Sequence, residues 1–124
     1  MTTLHPINSV LDHTRPISWI NAARKDFESF PAGARLVCHE ALTVAAAGGK
    51  SAIAKPLSGI GAGVLEIALP FKGNAFRVVY AVKIGEALWV VHAFQKKSTQ
   101  GIKTPKQEID LIKERLKRLK EMLR

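Results

Sequence analysis

The stretch VLEIALPFKGNAFRVVYAVKIGEALWVVHAF, residues 64–94, decides the fold class of this 124-residue chain. It contains three runs that are rich in β-branched and aromatic residues, separated by Gly73-Asn74 and Gly85-Glu86. Glycine-containing pairs between such runs are typical of two-residue hairpin turns. We therefore predict three consecutive strands that form an antiparallel-rich sheet. Their predicted ranges are residues 64–70, 75–84 and 87–94.

A short strand and two helices are predicted before this stretch. The segment RPISWI, residues 15–20, is a strand candidate. Residues 21–30 place apolar side chains at helical spacing, with Asn21 as the N-cap. A second helix starts at Pro31 and ends at a glycine pair, so the two helices form a hairpin. Residues 50–63 are predicted to be a loop.

A last helix is predicted from about residue 105. Thr104 suits the N-cap, Pro105 suits the first helical position, and Gln107 completes a capping box with Thr104. Apolar residues then recur at helical spacing and form one stripe. These residues are Ile109, Ile112, Leu116, Leu119 and Leu123. Because the helices and the three main strands are segregated along the chain, the order predicts an α+β fold.

The predicted turns also determine which side chains share a face of the sheet. If Lys72 faces Ala75 and Ile84 faces Ala87, one face collects polar residues and the other collects apolar residues. The polar face holds Glu66, Arg77, His92, Phe94 and, just past the strand, Lys96. The apolar face holds Leu65, Ile67, Leu69, Phe76, Val78, Tyr80, Val82, Trp89 and Val91. We expect the helical hairpin to cover the apolar face.

The polar face has two interpretations. Arginine and lysine bind phosphates, histidine transfers protons near neutral pH, and phenylalanine stacks on bases. Alternatively, the face is simply solvated, with an ion pair between Arg77 and Glu66 and a partly buried His92.

Composition favours an anionic partner. The net charge is +9 and the isoelectric point is about 10.1. Residues 95–124 contribute a net +6 of this charge. Such a basic surface most often binds nucleic acid, and a solvated lysine-rich helix face is the alternative. With 47% hydrophobic residues, residues 15–124 are predicted to be one domain after an N-terminal arm at residues 1–14.

Several classes of protein and site are not indicated. Cys38 is the only cysteine, so no intrachain disulfide is possible, and a reducing cytoplasm suits the chain. We predict no signal peptide, no membrane segment, no cofactor and no metal site. GGKS, residues 48–51, lacks the first glycine of a phosphate-binding loop. GIGAG, residues 59–63, precedes a strand and so is no dinucleotide fingerprint.

Five segments in order give the chain a resemblance to a known family. They are KPLSG (55–59), VLEI (64–67), FRVVYAV (76–82), HAFQKKS (92–98) and TPKQEIDLIKERL (104–116). Over about residues 15–120 the chain resembles toxins of the RelE/ParE superfamily. It is most similar to the phage-derived, HigB-like toxins of bacterial type II toxin–antitoxin systems. The resemblance implies a small sheet with a helical hairpin on one face.

The same resemblance implies a function and partners. It implies a metal-independent, ribosome-dependent endoribonuclease that cuts translated mRNA, contacts rRNA, and pairs with a small antitoxin, often a helix-turn-helix protein. Arg77 matches the strand arginine that such toxins place against the scissile phosphate, and Lys96 and Lys97 match a basic position after the last strand. Where several members carry lysines, this chain has Glu66 and Ala68.

The predicted site follows from these matches. Arg77 and Lys96 are expected to stabilise the phosphate charge, and Glu66 or His92 is the candidate base. Predicted RNA contacts are Phe94, Lys55, Lys97, Lys103 and Lys106. The alternative function is a binding module that cuts nothing, such as a ParE-like gyrase inhibitor or a nucleic-acid- or partner-binding protein.

Overall fold

The computed structural model describes residues 14–96 and 103–123. The helices in these ranges are α1 (Asn21–Glu28), α2 (Ala32–Ala46) and α3 (Lys106–Met122). The strands are β1 (Ile17–Trp19), β2 (Ala54–Pro56), β3 (Val64–Phe71), β4 (Asn74–Ala81) and β5 (Leu88–Lys96). The predicted α+β class is confirmed. Of the predicted N-terminal arm, residues 1–13 lie outside the described residues.

The strands form one mixed sheet in the order β1-β5-β4-β3-β2. β1 runs parallel to β5, and the other neighbouring pairs are antiparallel. The α1–α2 hairpin packs on one face with a core that includes Ile67, Phe76 and Tyr80. α3 packs on the other face, where Ile112, Leu116 and Leu119 contact Val79 and Val91. The sheet is therefore covered by helices on both faces.

The α1–α2 hairpin is held by an aromatic cluster and by a glycine-terminated helix. Ring centroids of Phe30 and Phe76 lie 4.8 Å apart, which joins the hairpin to β4. α2 ends as predicted at its glycine pair, since Gly48 adopts a positive φ of 97° and Gly49 donates to the carbonyl of Val44. Burial raises the pKa of the Cys38 thiol on α2 to about 11, so the thiol is a poor nucleophile at neutral pH.

The β3–β4 turn differs by one residue from the prediction, but the predicted faces survive. Phe71 pairs with Asn74, so Lys72 and Gly73 form the turn, with φ values of 51° and 84°. Two positive φ values are those of a type I′ turn. Moving a two-residue turn by one position shifts the pairing by two residues. Glu66 and Arg77 therefore still point to the same face.

The β4–β5 pairing is confirmed at one end and wrong at the other. Arg77 faces Phe94 and Val79 faces His92, as predicted. A bulge then shifts the register, so that Tyr80 pairs with Val90. The extra residue moves Trp89 and Val91 from the predicted apolar face to the face beneath α3. Leu88 and Val90 take their place in the core beneath the hairpin.

Three local predictions are also wrong. Residues 54–56 form the edge strand β2 within the predicted loop, because pairing with β3 overrides a weak strand sequence. Ile20 occupies the N-cap position of α1 in place of Asn21, because its N–H is bonded to Val90 and it leads directly from β1. Pro105, and not Thr104, precedes α3, and no side chain caps this helix.

Candidate functional site

The predicted polar face of the sheet lies partly beneath α3. Glu66, Arg77 and His92 share this face, and each is no more than 5% exposed. Glu66 and His92 both flank Val79 on β4, and Arg77 pairs with Phe94. The sequence therefore brings the predicted groups together, but the structure buries three of them. Buried polar groups of this kind require hydrogen-bond partners.

Glu66 is bonded on both of its oxygens. Arg77 Nη1 donates to Oε1 over 3.0 Å, and the hydroxyl of Thr104 donates to Oε2 over 2.7 Å. The Thr104 hydroxyl therefore binds a strand carboxylate and does not cap α3, which explains why the predicted capping box is absent. This contact ties the segment that precedes α3 to the middle of the sheet.

His92 is bonded on both of its ring nitrogens. Nδ1 lies 2.9 Å from Arg115 Nη1, and Nε2 lies 2.6 Å from Glu108 Oε1. A guanidinium can only donate, so Nδ1 accepts and Nε2 carries the proton donated to Glu108. Arg115 Nη1 also donates to the carbonyl of Val91, 3.1 Å away at the bulge. The bulge thus lets one arginine bind both the strand backbone and the histidine.

Phe94 and Lys96 continue the same face toward its open end. The Phe94 ring stacks on His92 with centroids 5.1 Å apart and planes inclined by 24°. Both Phe94 and Lys96 are partly exposed. Lys96 Nζ donates to the carbonyl of Lys103 over 3.0 Å, so it fixes the start of the α3 segment. A solvent-facing ring beside a buried histidine is available to stack on a base.

A basic cleft borders Glu66. Its volume is about 420 Å³, and Lys55, Lys103, Ser58 and Thr104 line it with Glu66. Lys55 stands directly opposite Glu66 because of the unpredicted strand β2, and both lysines are exposed. Two exposed ammonium groups at the edge of this cleft suit an anionic ligand.

The remaining two predicted RNA contacts are Lys106 and Lys97. Lys106 is exposed, but its Nζ lies 2.8 Å from Asp110 Oδ2. The hydrogen bond to Asp110, and then the attraction of its charge, raises the pKa of Lys106. Lys97 lies outside the described residues. Lys106 is therefore already paired with an acid, whereas Lys55 and Lys103 have no acidic partner within residues 14–96 and 103–123.

Sequence reasoning missed Glu108 and Arg115, although the sequence contains a signal for both. Together with Ile112 and Leu119 they recur at intervals of four, three and four residues, so they lie on the apolar stripe of α3. An acid and an arginine on a buried stripe indicate partners on the surface that the stripe covers. The partner, His92, was on the predicted polar face.

Two classes of feature are absent from residues 14–96 and 103–123. These residues contain no group of three or more His, Cys, Asp or Glu side chains that could hold a metal ion. None of their helices is both long and apolar enough to cross a membrane.

A comparison with protein families gives the chain its family. The model described as "Phage derived protein Gp49-like (DUF891)" matches residues 25–117, which include every strand from β2 to β5 and most of α3. The chain belongs to the Gp49-like family. Gp49-like proteins are a RelE-like toxin family. Membership is consistent with a toxin of a toxin–antitoxin system, and such a toxin has a cognate antitoxin as its partner. Neither the curated proteins nor the solved structures gave a significant match.

Proposed function

We propose that this Gp49-like protein is a HigB-like, cytoplasmic toxin that cuts translated mRNA on the ribosome. The observation that carries the proposal is the grouping of Glu66, Arg77, His92 and Phe94 on one sheet face beside a lysine-lined cleft. RNA cleavage by its own 2′-hydroxyl requires a base, cations for the phosphorane charge and an acid for the leaving 5′-oxygen. Residues that could serve as the base and as the cations lie on or beside this face.

The roles follow from charge and position. Arg77 and Lys96 stabilise the charge that develops on the phosphate, and Lys55 and Lys103 guide the RNA backbone into the cleft. Glu66 and His92 are the base candidates from the sequence. Phe94 stacks on a nucleobase next to the cleaved bond. The cognate antitoxin, a helix-turn-helix protein by the family resemblance, blocks this surface.

The chemistry is tested by the ends of the cleaved RNA. In a ribosome-primed extract the products should end in a 2′,3′-cyclic phosphate or a 3′-phosphate, because the 2′-oxygen is the nucleophile. A message with one 2′-deoxy sugar at the cut should resist cleavage. Cleavage should persist after chelation of free divalent ions, with the ribosome kept intact by polyamines. Products that end in a 3′-hydroxyl and a 5′-phosphate would exclude this mechanism.

The exposed face of α3 gives a second test, of RNA binding. Lys113, Lys117 and Lys120 are exposed and recur along one side of the helix. Each phosphate that a lysine neutralises adds roughly 0.7–0.9 to the slope of log affinity against log salt. Changing all three lysines to glutamine should lower the slope for ribosome binding by about 2–3, measured by pelleting at several salt concentrations.

A matched variant controls for net charge. Glutamine at Lys25, Lys72 and Lys83 removes three exposed charges elsewhere on the chain. This control should keep the wild-type slope. Equal slopes for the two triple variants would mean that the α3 lysines are only solvated.

The burial of three site residues favours a second candidate function. Arg77 and His92 are engaged in hydrogen bonds beneath α3, which suits a module that binds RNA, gyrase or another partner without cutting it. The same extract separates the two functions, because intact mRNA together with inhibited DNA supercoiling is expected only for the gyrase-binding module.

A further inference from the structure

The base candidates from the sequence are poorly placed to receive a proton. Glu66 is 3% exposed, and Arg77 and Thr104 donate to its two oxygens. His92 is also 3% exposed, and its one proton-accepting nitrogen, Nδ1, is bonded to Arg115. A general base must lie within hydrogen-bond reach of the substrate hydroxyl. Either residue would first have to lose a buried hydrogen bond.

Glu108 differs from both in its exposure and its bonding. Its side chain is 22% exposed. Oε1 accepts the Nε2 proton of His92, whereas Oε2 makes no hydrogen bond with any residue that the structure describes. The carboxylate is thus anchored through one oxygen and has a second oxygen left to accept a proton.

Glu108 also lines an open pocket next to the stacking ring. The pocket has a volume of about 340 Å³ and is lined by Glu108, Asp26, His92, Phe94 and Ser29 among others; of its two carboxylates, Glu108 is the one anchored to His92. Phe94 stacks on the face of the His92 imidazole, and Glu108 accepts a hydrogen bond at its Nε2 edge, so both groups contact the same ring. A nucleobase stacked on Phe94 would bring the ribose of the same nucleotide close to this carboxylate.

The His92 tautomer fixes the direction of the Glu108 carboxylate. Arg115 makes Nδ1 an acceptor, which leaves the proton on Nε2 for Glu108. The hydrogen bond from Nε2–H to the ionised carboxylate is charge-assisted, so it gives Glu108 a preferred orientation in the pocket. Arg115 and His92 are positioning residues in this arrangement.

We propose that Glu108 is the general base of the RNA cleavage, and that the nucleotide whose 2′-hydroxyl attacks is bound in the Phe94–Glu108 pocket. Its carboxylate takes the proton of the 2′-hydroxyl while the 2′-oxygen forms a bond to phosphorus and the bond from phosphorus to the 5′-oxygen breaks. The departing 5′-oxygen takes a proton from water, and the resulting hydroxide removes the proton from Glu108. This inference rests on the proposed function.

The test is Glu108→Gln, which keeps an oxygen to accept from His92 and removes the basic carboxylate. Loss of a general base typically lowers the rate by 10²–10⁴-fold, so cleavage of ribosome-bound mRNA should fall by at least about 100-fold. Ribosome binding and the thermal unfolding curve should remain those of the wild type.

Glu114→Gln is the matched control on the same helix. Glu114 is exposed and is paired only with Arg118, 3.2 Å away among the described residues. This control should cleave within about two-fold of the wild type, because Glu114 does not line the Phe94–Glu108 pocket and so cannot act as its base. Cleavage by Glu108→Gln at the wild-type rate would overturn the role of Glu108 and leave the proposed nuclease standing. A wild-type protein that leaves mRNA intact would overturn both.

Discussion

Arg77→Ala should abolish toxicity and also lower the free energy of unfolding by about 3–5 kcal/mol, because it leaves a buried carboxylate without its cation. The Arg77 and Glu66 side chains are only 7% and 4% exposed, and their charged atoms lie 3.0 Å apart. Because both side chains of the pair are buried, the loss of stability should accompany the loss of toxicity. Urea unfolding of the purified variant, followed by circular dichroism, measures the loss.

A double variant separates the two effects of Arg77. Replacing a buried ion pair with apolar side chains of similar volume is often neutral or stabilising. Glu66→Met combined with Arg77→Met should therefore recover most of the stability lost in Arg77→Ala, yet remain non-toxic in cells. Recovery of toxicity together with stability would show that the pair only holds the sheet together and takes no part in the chemistry.

The sheet registers show which part of the fold the sequence could predict. Hairpin faces depend on whether the pairing shifts by an odd or an even number of residues. The predicted turn at Gly73-Asn74 lies at Lys72-Gly73 in the structure, which shifts the β3–β4 pairing by two residues and changes no face. The bulge near Val91 shifts the β4–β5 pairing by one, so Trp89 and Val91 change faces. No local sequence pattern marks the bulge, because it is stabilised from outside the sheet by Arg115.

The site was predictable only for residues carried by the strands. Alternation along β3, β4 and β5 is enough to predict that Glu66, Arg77 and His92 share one face. The groups that bind them come from α3 and the residues before it, and the stripe of α3 did not reveal which face of the sheet it covers. Thr104 illustrates the difficulty, because its local pattern favours an N-cap but a buried carboxylate is the stronger acceptor.

Two phenylalanines on opposite faces of the sheet give the sharpest test of the face assignment. Phe76 is 1% exposed, and its ring lies 4.8 Å from that of Phe30 and 6.2 Å from that of Phe71. Phe76→Ala should lower the free energy of unfolding by about 3–5 kcal/mol, as truncations of buried aromatic residues do. The melting temperature of a domain of this size should fall by roughly 10–20 °C.

Phe94→Ala is the matched change on the face that we propose for RNA. Phe94 is partly exposed, and its described ring contact is the stack on His92. This variant should stay folded with a loss of about 1 kcal/mol, close to the value of one aromatic pair. Its affinity for ribosome-bound mRNA should fall by about 1–3 kcal/mol, the value of one base stacked on a ring. If Phe94→Ala instead unfolded as readily as Phe76→Ala and bound RNA normally, the Phe94 ring would be part of a second core. The face beneath α3 would then not be an RNA-binding surface.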